Sequence, residues 1–525
     1  PKAISLANTV TAAPPGLLSI HYNPPGLCKL PDGNTFSDGI TVPIIQKTSK
    51  FELDAEFEGF LGGDPEEDPV AREEGTNRAG RQNIPLLDQT IDFLISPTLG
   101  LSTRKKGSKW TFAVGQYAPF AVGLVHGDDD DPARWGGKSV YQQHLIYAAP
   151  AVGYQLHRTF SVGLSVGFGQ TAMGAEVDMR SPNDIVALTQ VLGEASEDLE
   201  IPVVSELTLP PPWFGGGVSP YDQVADLELT LRDDFSPCYN VGFLYEPFWW
   251  VSLGAVYQSG GDAELTGDYK FEYTETWQQM VDWMGSSPLL VNVSGMFDLP
   301  MNSVPSQSGT ATTTMTFPQR VQAGIKLKPF RWLSLLGDLH WADWSVVEED
   351  RIEFDQDIQL LEVVKMLGYT GGDDTLVIER DFEDTLHWSV GLEIQPLDWL
   401  FLRCGYERRE SSVQTRLFDL LYALPDLDNY GAGIGIKLKN GTVVDLAFGY
   451  IVSKGYKVSS NGSTNLNSTE FTDPVYNPYA GLDYEQDTIT YMGSFKVQMP
   501  TEVMSHMIHH TMDSLKKIGG WLNPF

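Results

Sequence analysis

The chain has 525 residues, with 35 Lys and Arg against 69 Asp and Glu, 42% hydrophobic side chains, 51 glycines and 33 prolines. Ample hydrophobic content without a strict glycine period excludes a disordered or collagen-like chain. A formal net charge of -34 argues against nucleic acid as a partner, and three scattered cysteines (Cys28, Cys238, Cys404) offer neither a disulfide framework nor a zinc motif.

In chain order, Pro1-Lys2-Ala3-Ile4 shows no basic segment leading into an apolar one, so a secretory signal is either absent or already removed; removal suits the rest of the reading. No apolar run reaches the roughly 18 residues of a membrane helix, so any membrane role falls to strands. Residues 1–43 are rich in Pro and Gly and precede the first good alternating strand. The segment Trp110 to Val125 contains Pro119 between Gly115 and Gly123. Proline cannot donate to a ladder and interior glycine weakens pairing, which predicts either a gap or an ordinary bulge there. Next, Phe160, Val162, Leu164, Val166 and Phe168 alternate with Ser161, Gly163, Ser165, Gly167 and Gly169. This run contains a GxSxG pattern, but a serine nucleophile needs a sharp strand-to-helix turn, and Ser165 lies within an alternating strand as a small inward filler.

The alternation continues at Val321 to Leu327, Leu333 to Trp341, Leu386 to Ile394, Leu400 to Tyr406, Tyr430 to Leu438, Val444 to Val452 and Gln486 to Val497. Short turns fall near Lys105-Lys106-Gly107-Ser108, His157-Arg158, Pro247-Phe248, Pro329-Phe330, Pro396-Leu397 and Asn440-Gly441. Between them lie seven long polar segments: 62–81, 127–138, 180–226, 276–310, 355–383, 415–428 and 459–485. This layout gives about fourteen antiparallel strands with both ends on the short-turn side, as in an outer-membrane barrel. A soluble β-sandwich also alternates, but its strands average about five or six residues against roughly 9 to 11 for a bilayer crossing. Aromatics beside the turns (Phe248, Trp249, Trp250; Phe330, Trp332; Trp399, Phe401) suit a headgroup girdle.

Acidic runs such as Asp64-Pro65-Glu66-Glu67-Asp68 and Asp128-Asp129-Asp130-Asp131 fall in long segments and read as solubilising rather than as calcium loops, whose spacing they lack. After the last strand, Val503, Met504, Met507, Ile508, Thr511, Met512, Leu515 and Ile518 predict an amphipathic helix. It could pack on the barrel rim, lie on the inner leaflet, enter the lumen or dock a periplasmic partner. His506, His509 and His510 lack a completing carboxylate, and no metal or cofactor is expected.

Ser19-Ile20-His21-Tyr22-Asn23-Pro24-Pro25-Gly26-Leu27 resembles the NPAG-type plug motif of the FadL/TodX family of outer-membrane long-chain fatty acid transporters, with Pro25 where alanine is usual. Phe317-Pro318, Gly324, Pro329, Leu335, Asp338, Trp341, Trp344 and Ser345 are similar to the family in order. So are Leu402-Arg403-Cys404-Gly405-Tyr406, Leu424-Pro425-Asp426 and Asp445-Leu446-Ala447-Phe448-Gly449-Tyr450. The resemblance spans roughly the first 498 residues. It implies an all-β, 14-stranded antiparallel transmembrane β-barrel (44–498), an N-terminal plug or hatch inside the lumen (1–43) and, appended here, a C-terminal amphipathic helix (499–525). The plug motif would be Asn23, Pro24, Pro25 and Gly26. The family's kinked third strand, with a lateral opening, would fall at Gly115, Pro119 and Gly123.

If the apolar faces meet lipid, Arg320, Gln322, Lys326, Asp338, His340, Glu393, Arg403, Lys437 and Asp445 face the lumen. Hairpin counting sets Lys437 opposite Asp445, Arg403 near Glu393, and His340 beside Arg320. Arg320 is the leading candidate to meet a carboxylate, with His340 and Arg403 completing the inner binding set. An outer capture groove is expected between the loop 201–218, carrying Leu207, Leu209, Trp213 and Phe214, and the loop 277–297, carrying Met280, Val281, Trp283 and Met284. The reading is an outer-membrane channel, not an enzyme, taking up long-chain fatty acids or other hydrophobic compounds by passive diffusion. Its surroundings would be outer-membrane lipid and lipopolysaccharide. The alternatives are a lipid hydrolase using Ser165 and a non-transporting adhesin or receptor.

Overall fold

Residues 1–84, 89–126, 130–198, 209–365, 368–421, 424–470 and 477–505 are described by the structure, a computed structural model. Fourteen antiparallel strands close into a barrel. β1 is Gly33–Leu53, β2 runs in two pieces (Glu74–Ala79 and Ser96–Arg104), and β3 is Trp110–His126. β4 is Ser139–His157, β5 is Phe160–Met179 and β6 is Ala225–Phe248. β7 (Val251–Gln258, Gly261–Tyr273), β8 (Ser306–Phe317, Arg320–Phe330), β9 (Leu333–Ala342, Glu349–Phe354) and β10 (Thr375–Glu379, Thr385–Leu397) are each interrupted once. β11 is Leu400–Arg409, β12 is Leu427–Lys437, β13 is Val443–Val458 and β14 is Leu482–Pro500. Closure comes from β1 and β14, paired from Thr35↔Pro500 to Leu53↔Leu482.

Period-two patterning divides the wall into two faces. Leu386, Trp388 and Val390 of β10 and Leu446 and Phe448 of β13 are exposed, whereas Ser389, between Trp388 and Val390, and Asp445, next to Leu446, are buried. Repeated around the barrel, this makes an apolar outer band that hydrocarbon must cover. At the short turns Phe248 stacks on Trp250 at 5.6 Å and Phe330 on Trp332 at 5.5 Å, all four exposed. Farther along the wall, Tyr406, Tyr430, Tyr450 and Tyr491 sit side by side on β11 to β14 with ring centroids 5.2, 6.2 and 5.6 Å apart. Amphipathic rings of this kind suit the two headgroup levels.

β1 begins at Gly33 rather than after residue 43, so the plug is shorter than the sequence suggested. The misleading signal was Pro43. It lies where β1 has no neighbour on its β2 side, since that pairing stops at Thr41↔Ser96 and resumes at Thr48↔Thr76, so its missing N–H is tolerated. Residues 1–32, expected as the plug, hold two single-turn helices, α1 (Lys2–Ser5) and α2 (Ser19–Tyr22), joined by tight turns. Their backbone is held by inward side chains of the wall. Ser165 and Asn240 donate to the Ile20 carbonyl (2.7 and 3.2 Å), Gln258 to His21 (2.8 Å), Ser252 to Ala12 (2.9 Å) and Arg104 to Cys28 (2.6 Å). The Thr11 N–H donates to Asp338 at 2.8 Å. Inner-face glycines make room: a Cβ on Gly242 would lie 2.0 Å from Asn23 Oδ1, and one on Gly405 would lie 2.2 Å from the Leu6 backbone.

The long segments expected as polar loops are folded. They hold α3 (Asp184–Ser196), α4 (Glu275–Met284), α5 (Pro288–Met296) and α6 (Gln359–Val364), and the strands extend upward among them. Leu227, Leu229, Leu231, Phe271, Trp277, Val281, Ile352 and Leu361 form a core there. Asp68, read as a solubilising charge, is instead buried. It accepts two hydrogen bonds from Arg180 (2.7 and 3.0 Å), and the guanidinium also donates to the Pro478 carbonyl at 2.7 Å and lies 4.9 Å above the Trp135 ring. Burial pushes the neighbouring Tyr479 phenol well above its ordinary pKa. Helix begins at residues 501–505. The rest of the expected C-terminal helix, with His506, His509 and His510, lies outside the described residues, as do Leu207, Asp128 and Asp129.

Candidate transport pathway

Above the plug the lumen opens into adjoining cavities. The one nearest the plug is bordered by His21, Tyr117, His144, Pro237 and Phe317. A second is walled by Val122, Leu124, Trp344, Val347, Phe382 and Leu420. Phe120, Phe317 and Arg320 line both, so the two are neighbours. A third apolar cavity, bordered by Leu227, Ile352, Leu376 and Ile378, shares Gln142, Met315 and Leu421 with the second. The sequence reading missed Phe382 and Leu420. For Leu420 the available signal was Leu417-Phe418-Asp419-Leu420-Leu421, apolar but for Asp419, inside a segment classed as polar.

Arg320 stands where the first two cavities meet. It is half-buried, its guanidinium lies 5.9 Å from the Trp344 ring centroid, and among the described residues it makes no ion pair with a carboxylate. The register corrects its expected neighbour: Arg320 faces Ala342, and His340 faces Gln322. His340 instead hydrogen-bonds with Ser389 at 3.1 Å. Arg403 lies near Glu393 as expected (Nε to Oε2, 2.7 Å) but also donates to Asp445 at 2.7 Å, so its charge is balanced within the wall. Lys437 faces Val443 rather than Asp445, whose second ion-pair partner is Lys496 at 3.3 Å. Counting residues back from a turn misplaced both pairs, because such a turn can add or drop a residue of register.

At β3 the wall is interrupted on one side. β2 pairs with β3 from Thr103↔Phe112 to Leu99↔Gln116, then again only at Ala79↔Val125 and Asn77↔His126. Between those points residues 80–84 and 89–95 lie off the ladder, and Gln82–Ile84 pairs antiparallel with Gln89–Ile91. The register of β3 against β4 slips between Gly115 and Tyr117 and again between Tyr117 and Phe120, on either side of which lie the expected glycines. Asn77 caps the vacated edge of β1: its amide donates to the Ile45 carbonyl at 2.5 Å and its oxygen accepts from the Lys47 N–H. At Gly123 a Cβ would lie 1.9 Å from the Arg81 carbonyl oxygen, so only glycine lets that backbone cross. Gly115 faces the plug, where a Cβ would meet Ile20 at 2.9 Å. Tyr117, Pro119 and Phe120 border the cavity above the plug, which therefore faces the interruption.

The plug motif forms a docked turn. The Gly26 N–H donates to the Asn23 carbonyl at 3.0 Å, and the Asn23 amide reaches Thr11 (2.8 Å) and Phe243 (3.2 Å) carbonyls. Pro24 and Pro25 press against Gly163, where a Cβ would lie 2.5 Å from the Pro25 nitrogen. Ser165 donates to the plug and is 1% exposed. In the outer loops, Phe214 and Trp283 contact at 4.7 Å, and Trp283 Nε1 donates to the Pro210 carbonyl at 2.7 Å. The Trp213 N–H donates to Ser196 at 2.7 Å. Met280 and Met284 are buried, so the loops pack on each other and these two methionines face no open groove.

A profile described as "Outer membrane protein transport protein (OMPP1/FadL/TodX)" matches residues 3–494. The fold is similar to that of a solved Pseudomonas aeruginosa FadL homologue (TM-score 0.65, 14% identity, 95% of this chain and 97% of that one). It is also similar to the Pseudomonas putida toluene transporter TodX (TM-score 0.60, 14% identity, 95% and 97%) and to the CymD monoaromatic hydrocarbon channel (TM-score 0.55, 14% identity, 95% and 97%). No curated protein sequence matches. The chain belongs to this FadL/TodX family of outer-membrane β-barrel transporters of hydrophobic compounds, which are channels and not enzymes.

Proposed function

We propose that this protein takes up amphiphilic hydrocarbon acids, of the long-chain fatty acid class, by passive diffusion from the outer loops through the apolar cavities, with sideways release at β3. The carrying observation is Arg320. The chain holds 69 acidic residues against 35 basic ones, yet among the described residues this guanidinium makes no ion pair with a carboxylate where two apolar cavities meet. The apolar wall of the second cavity suits an acyl chain, whose carboxylate would take a charge-assisted, bidentate contact from Arg320. The plug closes the straight route below, and the interruption bordered by Tyr117, Pro119 and Phe120 offers the sideways one. The largely apolar wall of that cavity favours a second reading, neutral monoaromatic hydrocarbons, in line with the toluene transporter and hydrocarbon channel of similar fold.

The test is uptake of labelled oleate and of toluene by cells carrying wild-type protein or Arg320→Ala. Loss of one charge-assisted contact, about 1.5–3 kcal/mol, lowers the oleate rate about tenfold or more and leaves toluene unchanged. Unchanged oleate uptake overturns the acid reading in favour of the hydrocarbon one.

A further inference from the structure

His340, His387 and Glu407 come together on three neighbouring strands. His340 of β9 pairs directly with His387 of β10, and Glu407 of β11 pairs with Ser389, one step diagonal from His387 on the same face. The imidazoles stack with centroids 4.9 Å apart and planes 11° apart. One ligand atom from each of the three residues lies within 4.8 Å of the other two. We propose that these residues bind one divalent transition-metal ion of the zinc class, at the wall of the barrel beside the plug.

The division of labour at Glu407 supports this. Oε2 accepts from Asn429 (2.8 Å), from Asn8 of the plug (2.9 Å) and from Arg409 (3.1 Å), while Oε1 faces His387 Nε2 at 3.2 Å. One oxygen is thus held by orienting donors and the other is presented to the imidazoles, the arrangement by which outer groups position a metal-binding carboxylate. Glu407 and His340 are buried, and His387 Nδ1 and Asn429 Oδ1 have no hydrogen-bond partner among the described residues. Two imidazoles and one carboxylate are the donor set of open zinc sites, and their nitrogen content favours zinc, copper or nickel over magnesium or calcium. Metal–nitrogen bonds of about 2.0–2.1 Å need donors about 3.4 Å apart in a tetrahedral site, so the imidazoles swing inward by about 1 Å on binding. Arg409 opposes the added positive charge, and its contact is on the other carboxylate oxygen. Because Asn8 holds the same carboxylate, a bound ion ties the first turn of the plug to β9–β11.

The experiment is Zn²⁺ titration of the full-length protein in detergent, by calorimetry and by metal content after desalting. Excess Mg²⁺ is present to occupy the acidic loops. One tight Zn²⁺ per chain is expected, and Co²⁺ at the same site shows the intense visible bands of tetrahedral coordination. His387→Gln, His340→Gln and Glu407→Gln each abolish that binding, and Asn429→Ala, which only loses the orienting contact, weakens it about tenfold. A variant carrying His506→Asn, His509→Asn and His510→Asn keeps the site. The wild-type Co²⁺ spectrum decides the matter even where a variant fails to fold. Absence of tight binding, an octahedral Co²⁺ spectrum, persistence in His387→Gln, or loss in the tail variant each overturns the proposal.

Discussion

The lower and upper halves of the lumen are built on opposite terms. Below Tyr117, inward glycines and polar side chains meet the plug backbone, with Gly242, Gly405, Ser165 and Gln258 in direct contact with it. Above that level the inward positions are Val122, Leu124, Phe317 and Leu420, and they enclose empty space. A stopper of folded chain needs its carbonyls and N–H groups satisfied, whereas a route for hydrocarbon needs surfaces that do not compete for water. The boundary between them coincides with the interruption at β3, so under the proposed function a ligand descending the apolar half would meet a polar seal and a side exit at one level.

The sharpest disturbance of the upper half comes at its roof. Asp68→Asn strands the buried Arg180 charge and costs about 3–5 kcal/mol locally, a hundredfold or more in loop opening. Hydrogen exchange rises at residues 62–70 and 477–481 while the wall strands stay protected; equal exchange shows that the roof does not depend on this pair. In the lower half, Gly242→Leu drives a side chain into Asn23, and overpacking of about 1–3 kcal/mol raises the displaced-plug population about tenfold. Single-channel conductance and entry of polar antibiotics measure that leak. The smallest expected effect is the most discriminating. A Cβ at Gly153 lies 3.0 Å from Cys28 Sγ, so Gly153→Cys forms a disulfide that ties the plug to β4. With a side exit, oxidised protein transports within about twofold of reduced protein. Loss of uptake restored by a thiol reductant would instead route the ligand through the plug.

Strand number, turn positions and the two faces of the wall follow from local alternation, as at Leu386–Ile394, because one side of each strand must meet hydrocarbon whatever its neighbours do. The NPPG turn and the special character of Pro119 were legible for the same local reason: proline restricts φ and cannot donate wherever it stands. What only the tertiary structure decided are relations between distant residues. The partner of Asp445, the lack of an ion pair at Arg320 among the described residues, the burial of Asp68 by Arg180 and the crossing of Arg81 over Gly123 depend on register and on loops folding over one another. Alternation is a property of one strand and its solvent, whereas register shifts at turns and bulges accumulate between strands, and no single segment records them.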